Sequence, residues 1–105
     1  MKHLVLITHA GLKQATTDLL RSLDDVEEFT FTDIEGHGTQ SEDDPDLSNR
    51  DRVVGYIPRL RVDMLLDDSK VEPVIAAFRK DKNNENSSSN QSFYWVTEVK
   101  EQGRF

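Results

Sequence analysis

A short stretch in the first half of the chain gathers the residue types that can hold a ligand. Phe29–Gln40 reads Phe-Thr-Phe-Thr-Asp-Ile-Glu-Gly-His-Gly-Thr-Gln. Gly36-His37-Gly38 can bring backbone close to a ligand, with Gln40 as a polar or metal-bridging contact. The blander alternative is a β-bulge or tight turn that needs glycine at positive φ. Further along, Arg59 and Arg61 share the polar face of a strand. They can contact phosphate, although ion pairing with acids of neighbouring strands or subunits is the favoured reading.

The other candidates concern metal and partner binding. Imidazole suits zinc, copper and nickel, and the chain has His3, His9 and His37 but no Cys. No histidine stands four residues from another. His9 follows one strand and His37 another, so the two can share an edge of a sheet; three ordinary surface histidines are the simpler account. Glu42, Asp43, Asp44, Asp46 and Asp51 make the next segment acidic, against only Arg50 and Arg52. Oxygen-rich loops bind hard cations, but the Asp-x-Asp-x-Asp-Gly spacing of a calcium loop is absent. A solvated, self-repelling loop is the simpler reading. A third is a bait for a basic partner, in which Glu42, Asp43, Asp44, Asp46 and Arg50 need no fixed geometry. No paired carboxylates, Ser-His-Asp order or Walker-type glycine loop suggests catalysis, so no enzymatic activity is expected.

Bulk composition narrows the class. A chain of 105 residues is expected to form one domain, residues 1–105, around one core. The net charge of −7 argues against nucleic acid and anionic membranes. The apolar run Leu4–Ile7 is too short for a signal-peptide core or a membrane span, so a cytoplasmic protein without membrane insertion is expected.

The elements that position these residues follow from periodicity. Lys2–Thr8 holds a continuous apolar run and reads as a strand buried on both faces. Leu12, Ala15, Leu19, Leu20 and Leu23 make an apolar stripe on a helix over Lys13–Leu23. Strands are expected at Glu27–Ile34 and Val53–Leu66, the second alternating Leu60, Val62, Met64 and Leu66 with polar residues. Ser69 with Glu72 reads as a capping box, Pro73 falls in the first turn, and Val71, Val74, Ile75 and Phe78 share one face of a helix fading near Lys82. Phe93–Val99 reads as a last strand, with Phe93-Tyr94-Trp95 in the core on one face and at a subunit interface on the other. The order β-α-β-β-α-β predicts a ferredoxin-like α+β fold, four antiparallel strands with two helices on one face. The polar excursions 36–55 and 83–92 are expected to be mobile, because neither holds enough apolar surface to offset ordering.

With these residues in view, the chain resembles the PII signal-transduction family. Thr32-Asp33-Ile34-Glu35-Gly36-His37-Gly38-Thr39-Gln40 is similar to the family's Thr-Asp-x-x-Gly-x-Gly-x-Gln strand end, and Pro58-Arg59 to the Pro-Lys/Arg pair that opens its return strand. The resemblance implies a homotrimer, a long T-loop that meets a partner protein such as a membrane transporter, and a ligand site involving Gly36, His37, Gly38, Gln40, Arg59 and Arg104. It also shows departures. The Gly- and Lys-containing loop that wraps ATP phosphate in that family is replaced by the Asn/Ser tract Asn83–Ser92. At most Arg104 matches the family's C-terminal basic pair. ATP binding of that kind is therefore not expected, and which cofactor binds, if any, stays open. No tyrosine lies between Gln40 and Gly55, which excludes uridylylation there. PII-like branches include members linked to heavy-metal efflux. The CutA divalent-cation-tolerance family shares the trimeric fold, which keeps a metal-binding alternative with His9, His37, Glu42, Asp43 and Asp44 as ligands.

Overall fold

The continuous apolar run Leu4–Ile7 becomes the interior of the sheet. The computed structural model describes residues 1–37, 56–81 and 92–105. In chain order they form β1 (Lys2–His9), α1 (Lys13–Ser22) after a 3-10 turn at Ala10–Leu12, β2 (Thr30–Gly36), β3 (Ile57–Leu66), α2 (Val71–Lys80) after a 3-10 turn at Asp68–Lys70, and β4 (Phe93–Glu98). The sheet order is β2-β3-β1-β4, with every neighbouring pair antiparallel. This is the ferredoxin-like α+β arrangement that the element order predicts.

Register decides which side chains meet the helices. Leu4 pairs with Met64, Leu6 with Val62 and Thr8 with Leu60. These residues lie on the helix side, where Leu4, Leu6, Leu60, Val62, Met64 and Leu66 join Leu20 of α1 and Val71, Val74 and Ile75 of α2 in one core. Phe29, Phe31 and Phe78 pack against its margin. Fully burying one such side chain contributes roughly 1.5–3 kcal/mol. The α2 stripe is as the spacing predicts.

Several local expectations are corrected. In α1 the buried positions are Thr16 and Leu20, while Leu12, Ala15, Leu19 and Leu23 are only partly covered. A β-branched threonine fills a core position that an apolar-residue count passes over. Its Oγ1 is buried with no hydrogen-bond partner among the described residues, whereas the Thr17 hydroxyl donates to the Lys13 carbonyl at 2.8 Å. The Ser69–Glu72 capping box does not form. Ser69 is already inside the 3-10 turn, the N-cap is Lys70 with helical dihedrals, and no side chain caps it. An N-cap side chain accepts its bond from an extended conformation, which Lys70 does not adopt. β2 starts at Thr30 rather than Glu27 and runs on to Gly36, paired through Glu35–Pro58 and Gly36–Ile57. β3 starts at Ile57; the expected start at Val53 lies outside the described residues.

β4 departs most from expectation. All six of its residues are exposed, including Tyr94 and Val96, which sit in register with Leu6 and Leu4 on the helix side. β4 is an edge strand whose one neighbour is β1, and the core cluster stops short of it. The Tyr94 hydroxyl instead accepts a hydrogen bond from Arg79 of α2 at 3.2 Å. On the sheet's other face Phe93 and Trp95 stack with ring centroids 6.0 Å apart.

Among the described residues that second face carries no helix, yet Val5 and Ile7 are buried on it. Between them and solvent lies a polar cluster. Arg61 donates to both carboxylate oxygens of Asp63, Nε at 2.9 Å and a terminal nitrogen at 3.0 Å. His3 Nε2 lies 2.8 Å from Asp63, and the Arg61 guanidinium sits 5.6 Å from the centre of the Trp95 ring. Arg61 is ion-paired, but with Asp63 two residues along its own strand rather than with an acid of a neighbouring strand or subunit.

Two measurements test this account. Thr16→Val keeps the shape and removes an unpaired buried hydroxyl; equilibrium denaturation is expected to show a gain of about 1 kcal/mol, against a loss of roughly 2–5 kcal/mol for Leu20→Ala. The hydrogen bond from Arg61, aided by His3, holds the Asp63 carboxyl below its ordinary value of 3.8. A depressed native value means that the stabilisation is fully present above 3.8 and is lost as pH falls from there through the native value. Asp63→Asn should therefore cost roughly 1 kcal/mol at neutral pH and flatten the acid limb of a stability–pH profile. An unchanged acid limb would remove Asp63 from the account.

Candidate ligand-binding site

The candidate residues that the structure brings together lie at one end of the sheet. β1 finishes there at His9, β2 finishes at Gly36, β3 begins at Ile57 and β4 at Phe93. Ser92 ties the last of these to β1, its hydroxyl 2.9 Å from that of Thr8. Cross-strand pairing sets His9 opposite Arg59 on one side of β3 and Ile34 opposite Arg59 on the other.

Gly36 has a role that neither sequence reading supplies. Its backbone is not left-handed, so no positive φ requires glycine here. The need is for space: a Cβ on Gly36 would lie 2.6 Å from Arg59 Nε and 2.8 Å from its Cδ. The Arg59 side chain thus runs directly over the Gly36 backbone, and only a residue without a side chain lets it do so. Arg59 is 8% exposed, an unusually deep position for a guanidinium. Gly36 and Arg59 belong to one packing unit that joins the end of β2 to the start of β3.

The histidines separate. His37 is exposed, with Nε2 3.3 Å from Glu35 and its ring centroid 5.9 Å from that of Tyr56. His9 is turned inward. Its Nδ1 accepts the Gly11 backbone N–H at 3.1 Å, which closes the 3-10 turn that follows β1. Its Nε2 is buried without a hydrogen-bond partner among the described residues. Sequence inspection missed the Gly11 contact, whose signal was the small residue two positions beyond His9. The two histidines do lie at the same end of the sheet. Among the described residues, no three metal-capable side chains gather into a cluster.

The remaining candidates are elsewhere or outside view. Arg104 reaches Glu28 at 3.0 Å, both well exposed, just before β2 begins. That is the opposite end of the strand from Gly36, so within one chain Arg104 does not join Arg59. Gly38, Gln40, Glu42, Asp43, Asp44, Asp46 and Arg50 lie outside the described residues, as does the tract 83–91.

The Gly36–Arg59 packing is open to test. Gly36→Ala is expected to destabilise by on the order of 1–3 kcal/mol, because the guanidinium must move. In an Arg59→Ala background the same change should cost much less. A double-mutant cycle in denaturant measures the difference, and strictly additive effects would show that the two residues do not share this packing.

The comparisons agree with this architecture. A DUF3240 family protein from Shewanella baltica OS155, known from a crystal structure, superposes with a TM-score of 0.73 at 17% identity, covering 99% of this chain and 94% of that one. CPII, a nitrogen regulatory PII-like protein from Thiomonas intermedia K12 solved with ADP, AMP and bicarbonate, gives a TM-score of 0.66 at 19% identity, with the same two coverages. Identities this low establish shared fold alone, and that fold is PII-like. Among curated proteins none matches the sequence. The family model described as a protein of unknown function, DUF3240, matches residues 1–105, the whole chain, and the chain therefore belongs to the DUF3240 family.

Proposed function

We propose that this protein is a PII-like regulator that senses a small ligand or ion at the Gly36–Arg59 end of its sheet. It presents the acidic residues Glu42, Asp43, Asp44 and Asp46, with Arg50, to a partner protein such as a membrane transporter. The observation that carries this reading is the buried guanidinium laid across Gly36. It fastens the strand end from which residues 38–55 depart to the strand start at which they return. A ligand that engages this end therefore acts on both anchors of the acidic segment at once.

The ligand chemistry follows from the cation. Arginine is always charged and presents a planar fork suited to carboxylate and phosphate. The likeness to CPII supports an anionic ligand of the kind that protein holds. ATP held by a glycine- and lysine-containing phosphate loop is still not expected, since 83–92 lacks both residue types. The divalent-metal reading has less support, because the two histidines at this end face different surroundings.

A homotrimer in the cytoplasm completes the proposal. Leu65, Phe93 and Trp95 are exposed on the helix-free face, and large exposed apolar side chains gathered on one face mark an association surface. Light scattering is expected to give three chains per particle; a monomer at micromolar concentration would refute the assembly. Calorimetry with AMP, ADP, ATP, bicarbonate and a panel of divalent metals tests the ligand. Saturable binding of at least one of AMP, ADP or bicarbonate is expected, weakened roughly tenfold or more by Arg59→Gln. Metal binding with no response to any anion would replace this reading by the metal-binding one.

A further inference from the structure

The large apolar side chains of β4 are exposed on both of its faces. Phe93 and Trp95 are open on the helix-free face, but Tyr94 and Val96, on the helix side, are also 41% and 36% exposed. Association through the helix-free face alone leaves that second pair uncovered. The strand also lacks the devices that keep a sheet edge from pairing. Phe-Tyr-Trp-Val-Thr-Glu holds no proline and no lysine, and its one charge is its last residue. Among the described residues its only neighbour is β1, so its outer backbone groups face no strand.

The other edge of the sheet is β2, and its charge is opposite. Asp33 and Glu35, on the helix side of β2, are exposed acids. The β4 edge carries cations. Arg79 and Lys80 are exposed in the last turn of α2, and Arg79 reaches the Tyr94 hydroxyl at 3.2 Å. The two edges are complementary to each other and neither is complementary to itself. Strand direction agrees. Every neighbouring pair in the order β2-β3-β1-β4 is antiparallel, so β4 runs opposite to β2. Rotation about an axis along the strands keeps their directions, so β4 of one copy meets β2 of the next antiparallel. β4 begins at the end of the sheet where β2 finishes. Tyr94 and Arg79 then come beside the acids of the neighbouring β2.

We infer that the β4 edge docks strand to strand on the β2 edge of a second copy of this chain, with Arg79 and Lys80 against Asp33 and Glu35 of the partner subunit. This deepens the homotrimer reading above and rests on it. A contact between two different edges repeats around a closed ring. Three such contacts turn the helix-free faces inward and also cover the Tyr94 and Val96 side of β4.

Light scattering over a dilution series of the full chain reads the contact. Arg79→Glu with Lys80→Glu, and separately Asp33→Lys with Glu35→Lys, should each weaken association roughly tenfold or more, because like charges then oppose. A chain carrying all four changes should regain it. Circular dichroism checks that each variant is folded; where a reversal is not, the neutral pairs Arg79→Gln with Lys80→Gln and Asp33→Asn with Glu35→Asn should weaken association by a smaller factor. Hydrogen exchange gives a second readout: the outward amides of β4 should be protected in the assembly and exchange freely on dilution to monomer. A trimer indifferent to the charge changes, a loss that the combined chain does not restore, or unprotected outward β4 amides in the trimer would overturn the inference and leave the homotrimer standing. A dimer or a monomer at micromolar concentration would overturn both.

Discussion

A strand that is apolar on both faces has to be covered twice, and the two covers of β1 are of different kinds. On one side Leu4 and Leu6 meet the helices, and the cover is a core of aliphatic side chains. On the other side Val5 and Ile7 are just as buried, but the described residues supply no helix. Their neighbours there are Asp63 and Arg61 on β3 and Trp95 and Phe93 on β4. Long, partly polar side chains can lie flat and cover apolar surface with their stems while keeping their charges satisfied. The Arg61–Asp63–His3 cluster with Trp95 does this. A cover of that kind is thin. Trp95, Phe93 and Leu65 keep more than a third of their own surface exposed, so the face that protects β1 itself calls for further cover.

What could be read from the sequence divides by the range of the interaction that decides it. The run Leu4–Ile7, the alternation from Leu60 to Leu66 and the Val71–Val74–Ile75 stripe are local patterns, and each one becomes the core that its period implies. Element order was enough for the fold because few topologies satisfy β-α-β-β-α-β with short right-handed connections. Two of the misreadings turn on contacts distant in sequence. Thr16 is a core residue because of what lies beneath α1, not because of its type. β4 looked half-buried because its residues are aromatic, but its position at the sheet edge left it uncovered. The Ser69–Glu72 spacing was right for a capping box, but the chain enters α2 through a 3-10 turn that already contains Ser69 and leaves Lys70 at the N-cap.

The site was legible as a location but not as a mechanism. Gly36, His37 and Arg59 could be singled out by residue type, and they do lie at one end of the sheet. That Gly36 is glycine because of Arg59 depends on the register between β2 and β3, which neither segment encodes alone. His9 entered as a weak metal ligand. Its hydrogen bond to Gly11 changes the chemistry, because a ring whose Nδ1 accepts presents a proton at Nε2 rather than a lone pair.

Arg59 and Arg61 show how position alone separates a structural residue from a candidate functional one. They are two residues apart on β3, they point to the same face, and nothing in their type distinguishes them. Arg61 has Asp63 in its own strand, aligned for a two-pronged bond, and an indole beside it. Its donors and its charge are spent on holding the helix-free face together. Arg59 lies one step nearer the end of the sheet and is sunk further, against the backbone of Gly36. A charge at that depth is sensitive to any group that arrives beside it, because little water is present to screen the change. At the same place β2 ends and β3 begins. The Arg59 side chain therefore packs the start of β3 against the end of β2, while the cluster around Arg61 covers β1 further along the same face.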